Sequence, residues 1–382
     1  MVDAPSYLAA AKSSRGLADI VAASTAVSDV DVRVGRLIYR GYDAAELSGR
    51  ISFEECVYLL QRGALPNRRQ LDAVAADLAL GRQLGPTVEA VLDPVSATAT
   101  PMEALRTLVS VAGSDDPDKS SNKPDANQRK AVRLVAQVPV LLARYHAART
   151  GTLAPEPDPG LGTPANFLYQ LTGKPPEPEL RAAFEAAMVL HADHTMNAST
   201  FAARVCAATL TDMHSAVVAA VGTLKGPLHG GASEAVMRLL ESIESVDEVE
   251  PTVLERLARG EKVMGFGHRI YRRQDPRAEL LRALSRQLSE ITGSDRYYEL
   301  SVRMQEVVFD HRGLYPNIDF YTASLYAALG IPADMFSAVT AMARTAGWTA
   351  HVMEQHLDNR LIRPDSEYVG ERDRRWIPIE ER

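Results

Sequence analysis

Cysteine is almost missing from this chain: Cys56 and Cys206 are the only two among 382 residues. So small a number excludes a disulfide-braced scaffold and any metal centre built from paired cysteines. Both thiols have apolar neighbours (EECVYLL and ARVCAATL), the setting of a reduced core residue. Long apolar runs are missing too. None approaches the roughly 20 residues that cross a bilayer, and the opening MVDAPSYLAAAKSSRG has no apolar core of a secretory signal. These absences indicate no membrane partner and a cytoplasmic location. An excess of positive charge is also lacking, since 42 Lys and Arg face 49 Asp and Glu, a formal charge of -7. No basic face is offered to a nucleic acid. The same field mildly repels anionic substrates, so binding one requires arginines gathered locally.

What the chain has is helical period. With 46% hydrophobic and 24% charged residues it has the composition of a folded protein, long enough for two domains or one large core with a smaller attachment. After Asp275-Pro276, Leu280, Leu281, Leu284, Leu288 and Ile291 recur at helical spacing. Ser233 is expected to cap a helix carrying Val236, Leu239, Leu240 and Ile243, and Thr211-Asp212 to precede one with Val217, Val221 and Leu224. Asp334 precedes a long helix through Met335, Val339, Met342 and Ala346. Strand-like alternation is scarce; residues 25–42 predict a short hairpin. The fold class is mainly α. Two hydrophilic stretches, 113–128 and 150–164, read as exposed loops rather than domain linkers. A set of amphipathic helices from just after Gly231 to near Leu329 suggests a smaller lobe within the chain.

Chemistry-bearing residues collect where glycine, proline or helix ends shape the backbone. His229 sits in GPLHGGAS, His268 in GFGHRIY, His194 in LHADHTMNASTF just before the polar break 197–200, and Asp319 in YPNIDFY. All four read as loop-borne groups on a rigid frame. Plainer roles compete: His194 as a helix-end hydrogen bonder, Asp319 as a helix cap, His229 as a turn residue. His191 shares a stripe with Phe184 and Met188 and reads as a satisfied core histidine. Arginines supply local charge. Arg277 begins the helix after Asp275-Pro276, Arg363 is held extended by Pro364, and Arg344 lies within an apolar helix. A charge there is costly unless paired, so Arg344 faces a carboxylate from the protein or from a ligand.

Three familiar motifs fail. GPLHGGAS has the spacing of a phosphate loop, but Ala232 stands where lysine is needed and no strand leads in. GFGHRI starts like a dinucleotide loop, but Ile270 replaces the third glycine. His191, Asp193 and His194 lack the spacing of a zinc helix and a third ligand. The glycines are better explained as allowing a ligand close to the backbone.

Taken together, LIYRGYDAAEL, LHADHTMNASTFAARV, LKGPLHGGASEAVM, KVMGFGHRIYRRQDPRA, YPNIDFYTA, ARTAGWTAHVMEQ and NRLIRPDSEYVG resemble the citrate synthase family. The likeness runs from about Gly16 to Gly370. It implies a mostly helical homodimer whose subunits have a large domain (1–231 plus 326–382) and a small one (232–325), closing over the substrates. It implies His229, His268 and Asp319 as the catalytic trio. His194, Arg277, Arg344 and Arg363 would bind oxaloacetate, Arg363 reaching in from the partner subunit. Coenzyme A would lie along Lys262, Val263, Met264 and Gly265, with Arg272 near its phosphates. The implied reaction condenses acetyl-CoA, a cosubstrate, with oxaloacetate and needs no metal or permanently bound cofactor. The same trio serves 2-methylcitrate synthases, which take propionyl-CoA; the pocket lining near Asp319, such as Phe320 and Tyr321, is where the two would differ. A noncatalytic scaffold of the same fold is the remote alternative. Thr195 departs from the glutamate or glycine of many members, and TPAN (163–166) replaces a more usual turn. With so short a segment before the matching region, the NADH-inhibited regulation of longer members is not expected.

Overall fold

The computed structural model describes residues 15–17, 20–267 and 275–382. It divides into a unit spanning Thr25–Arg360 and a unit formed by the terminal segments Met1–Ser24 and Leu361–Arg382. The main unit opens with the hairpin the sequence predicts, extended by one short strand. Strands β1 (Ser28–Asp31), β2 (Arg36–Tyr39) and β3 (Tyr42–Asp43) form an antiparallel sheet in that order. Ser28 pairs with Tyr39, and the β2–β3 turn runs through Arg40 and Gly41 at φ 48° and 93°.

The rest is helical. The first ten helices are α1 (Ala44–Leu47), α2 (Phe53–Arg62), α3 (Arg68–Leu80), α4 (Pro86–Ser96), α5 (Pro101–Asp115), α6 (Pro124–Thr150), α7 (Thr163–Thr172), α8 (Pro178–His191), α9 (Ala198–Ala207) and α10 (Met213–Leu224). Then come α11 (Ala232–Glu241), α12 (Val249–Ala258), α13 (Pro276–Thr292), α14 (Asp295–Arg312), α15 (Ile318–Ala328) and α16 (Phe336–Leu357). Local chemistry sets many of the starts. Ser52 with Glu55 and Asn67 with Gln70 form reciprocal caps, and Asp212 and Asp275 cap α10 and α13 as expected.

Three boundaries differ from the sequence reading. Helix α11 starts at Ala232 with Gly231 as its cap, and the Ser233 hydroxyl is buried without a hydrogen-bond partner, so Ser233 does not cap. The polar break 197–200 is a helix start: the Asn197 side chain accepts the Thr200 N–H and α9 begins at Ala198. The stretch 113–128 is a loop only between the end of α5 and the start of α6, because Pro124 suits the first helical turn. Within that loop Asp116 is buried and bonded by Arg133.

Helix α16 is the spine. Every residue from Phe336 to Val352 is buried, and the helix packs against α2, α6, α8, α9 and α10. A helix buried all round must be apolar or have its polar groups matched. Small residues let neighbours approach: a Cβ on Gly347 would lie 2.2 Å from Asp193 Oδ1 and 2.6 Å from the Ala192 carbonyl oxygen. Helices α11 to α15 pack chiefly on one another, while α13 also touches α8 and α11 touches α16. In the terminal unit, Arg363 is exposed and pairs with Asp365 at 3.0 Å.

Candidate active site

His229 sits in the turn between α10 and α11. Its amide and that of Gly230 both bond to the Gly226 carbonyl, and a Cβ on Gly230 would lie 2.2 Å from the Leu224 carbonyl oxygen. Glycine there is a packing necessity. Ser199, in the first turn of α9, has an amide with no acceptor inside its helix. That N–H donates to His229 Nε2 at 3.2 Å. An amide only donates, so Nε2 is the lone-pair nitrogen and the ring proton sits on Nδ1. Among the described residues Nδ1 has no hydrogen-bond partner. Burial, and then the charge of Arg344, push this imidazole down to about 4. His229 is therefore neutral at pH 7, with an N–H to offer.

Asp319 lies in the first turn of α15, behind Asn317, whose side chain caps the Asp319 amide at 3.0 Å. The preceding segment is stapled to the glycine loop: Gly267 N–H bonds to the Tyr315 carbonyl at 2.9 Å and Asn317 N–H to the Gly265 carbonyl at 2.8 Å. Burial pushes the Asp319 carboxyl up to about 6, against the opposing charges of Arg277 and Arg344. Arg344 therefore acts on both His229 and Asp319, which brings two of the three expected catalytic residues into one field. His268, the third, lies outside the described residues, as does Arg272.

Arg344 is buried, and its Nε donates to the His191 carbonyl at 2.9 Å. Among the described residues no carboxylate is within ion-pair distance of it. Burial lowers its pKa, and Asp193 is the strongest charge restoring it. Arg277 differs. It forms a bidentate pair with Asp275, Nε–Oδ1 3.0 Å and Nη2–Oδ2 2.8 Å, both side chains being buried. His191 behaves as a core histidine, with Nδ1 2.8 Å from the Ala187 carbonyl and Nε2 3.2 Å from Thr322 Oγ1. His194 is buried in the connection between α8 and α9, and Asn197 donates to its carbonyl at 3.3 Å. Thr195 takes φ 52°, a left-handed conformation that glycine adopts freely and a β-branched residue does not. Its amide is held by Ser28 Oγ and Asp193 Oδ2, at 3.1 and 3.2 Å.

In the glycine loop, Lys262 is exposed, Val263 buried and Met264 partly buried. Gly265 has φ 84°, and a Cβ there would meet Val236 at 2.7 Å and Phe320 at 2.9 Å. Phe320 and Tyr321 are themselves core residues, Phe320 packing on Phe266 with centroids 4.5 Å apart. Ser199 and His351 carry no site role in the sequence, and Asp193 figures there only in the failed zinc motif. Fully buried Asp193 accepts from Ser28 and lies 3.2 Å from His351 Nε2, beneath the His194 connection. Asn197-x-x-Thr200 was a readable cap signal that would have put Ser199 on a helix end. His351 carries no local signal. A cleft of about 680 Å³ between α2, α3 and α6 shares none of these residues.

Comparison with known proteins gives a family and a set of relatives. The family model for the citrate synthase C-terminal domain matches residues 16–365. Citrate synthase 2 of Bacillus subtilis is 44% identical over 370 residues, 97% of this chain and 99% of that one. A 2-methylcitrate synthase of Shewanella oneidensis is 39% identical over 372 residues, covering 96% and 97%. Among solved structures, a citrate synthase of Thermoplasma acidophilum in ternary complex with carboxymethyl coenzyme A and oxaloacetate superposes with a TM-score of 0.91 at 29% identity, covering 96% of this chain and 99% of that one.

Proposed function

Because this chain belongs to the citrate synthase family, we propose that it condenses acetyl-CoA with oxaloacetate and hydrolyses the product thioester to citrate and free CoA. The observation that carries the reading is Arg344 acting on both a neutral, Nδ1-protonated His229 and a carboxyl, Asp319, raised to about 6. Those are the groups a Claisen condensation asks for. Asp319 takes a proton from the acetyl methyl group, and a raised pKa makes it a stronger base than an ordinary carboxylate. His229 donates from Nδ1 to the thioester oxygen as negative charge gathers there; removing one such donor typically costs about 2.7–4 kcal/mol. The enolate carbon then bonds to the oxaloacetate carbonyl carbon. His268 is assigned to polarise that carbonyl and protonate the alkoxide. Water cleaves the citryl thioester and the CoA thiol leaves.

His194, Arg277, Arg344 and, from the partner subunit of a homodimer, Arg363 are assigned to oxaloacetate. Asp275 orients the Arg277 guanidinium for that role, and Arg344, with no carboxylate at ion-pair distance among the described residues, supplies the stronger attraction. Coenzyme A is assigned to Lys262, Val263, Met264 and Gly265, with Arg272 near its phosphates. Residues 232–325 act as the small domain and the remainder as the large one. The setting is cytoplasmic, in the tricarboxylic acid cycle.

The Shewanella relative keeps propionyl-CoA in play, and one methylene in an apolar pocket is worth only about 1–3 kcal/mol. Oxaloacetate-dependent thiol release, measured side by side with acetyl-CoA and propionyl-CoA, tests both readings. A higher kcat/KM for acetyl-CoA is expected, with Asp319→Asn nearly inactive. A preference for propionyl-CoA would make 2-methylcitrate the product. No thiol release with either would remove the enzymatic reading.

A further inference from the structure

We infer that Trp348 is a positioning residue for His229, acting through the Ser199 hydroxyl. Trp348 lies one turn after Arg344 on α16, is fully buried, and donates from Nε1 to Ser199 Oγ at 3.2 Å. Burying an indole N–H is costly without an acceptor, and this hydroxyl is the one it has among the described residues. Ser199 Oγ in turn lies 2.7 Å from Asn197 Oδ1 and 2.9 Å from His229 Nε2. Three groups thus meet at one oxygen, and only one proton belongs to it.

Donor counting decides what the indole does. Trp348 Nε1 is a donor only, so it occupies one lone pair of Ser199 Oγ on the α16 side. The hydroxyl hydrogen is then confined to the side of its two acceptors, donated chiefly to Asn197 Oδ1 at 2.7 Å and shared with His229 Nε2. Remove the indole donor and the hydroxyl is free to rotate and turn a lone pair toward the imidazole. That favours a proton on Nε2, and in that tautomer Nδ1 has none to give. The Ser199 amide opposes the change, so the ring becomes a mixture rather than switching outright. Helix α16 therefore serves the site twice on one face, through Arg344 and, four residues later, through Trp348.

The inference rests on the citrate-forming reading for its kinetic arm, and its spectroscopic arm stands apart from that reading. Only two tryptophans are present, Trp348 and exposed Trp376. In a Trp376→Phe background, Trp348 is replaced by benzothienylalanine, which keeps the ring shape and removes the N–H. Trp348→Phe is the genetic counterpart. Losing a buried neutral hydrogen bond predicts a kcat about tenfold lower, with the oxaloacetate KM little changed. In a Ser199→Ala background the same replacement should change kcat by less than about twofold, since the indole then has nothing to act through. Ring 15N spectra, with His229 assigned by its loss in His229→Gln, should show Nδ1 protonated in the parent and mixed protonation without the indole donor. Equal losses of kcat in the two backgrounds, or an unchanged tautomer, would overturn the inference. If the parent forms no citrate, the functional reading fails while the tautomer result still decides the role of Trp348.

Discussion

Replacing Arg344 by methionine separates two roles that the sequence leaves open for it, structural ion partner and ligand clamp. In the structure Arg344 is 6% exposed, bonds through Nε to the His191 carbonyl, and has no carboxylate within ion-pair distance among the described residues. Losing that one bond costs about 1 kcal/mol. Against it stands relief from holding a cation in the interior without a direct counter-ion, an effective penalty of several kcal/mol before the longer-range help of Asp193 and Asp319. Methionine matches the length and adds no charge. The unliganded Arg344→Met protein is therefore expected to match the parent within about 1 kcal/mol or exceed it. Binding should move the other way. One lost charge-assisted contact of about 1.5–3 kcal/mol weakens oxaloacetate binding about 10- to 150-fold. At a concentration of 100 times the parent Kd, oxaloacetate stabilises the parent by about 2.7 kcal/mol. A hundredfold weaker site would gain only about 0.4 kcal/mol at the same concentration. Urea unfolding at 25 °C, with and without oxaloacetate, reads both quantities. A variant that unfolds several kcal/mol more easily yet keeps the full oxaloacetate shift would refute the clamp and make Arg344 structural.

Other outcomes follow from the Asp319 environment and from the glycine loop. With Asp319 raised to about 6, kcat/KM for acetyl-CoA should rise with pH through about 6 and level off above it, because the base is present only when ionised. Arg344→Met, which removes a charge that lowers this pKa, should move that limb to higher pH; a limb that stays put would separate the two groups. The sign for stability is opposite: the folded chain keeps a proton that the unfolded chain releases near 3.8, so Asp319 contributes stability at low pH that is lost as pH rises through about 6. Gly265→Ala should destabilise by about 1–3 kcal/mol, because φ 84° and contacts at 2.7 and 2.9 Å leave no room for a methyl group. Its KM for acetyl-CoA should rise more than its KM for oxaloacetate, and equal effects on both would count against a coenzyme A role for this loop.

What could be read from the chain alone was local or periodic. The 3.6-residue spacing of apolar side chains placed most helices, and Asp275-Pro276 and Thr211-Asp212 marked two starts correctly, because a cap acts on amides only two or three residues away. The glycine and histidine clusters marked the site segments and the family resemblance for a similar reason: a residue that must sit in a tight turn or beside a ligand is constrained where it stands. Where local signals compete the sequence misleads, as at Ser233, a good capping residue by type whose hydroxyl is buried inside the first turn.

The tertiary structure alone decided which polar groups meet. Arg344 as a buried cation with no ion-paired carboxylate among the described residues, and Ser199 as the group that sets the His229 tautomer, depend on helices separated by tens of residues arriving at one place. No spacing rule encodes a hydrogen bond between Trp348 and Ser199, 149 positions apart. Helix type is written in the neighbouring few residues because backbone bonds close over four positions. Proton position and charge are written in the packing, because burial and the nearest donor fix them.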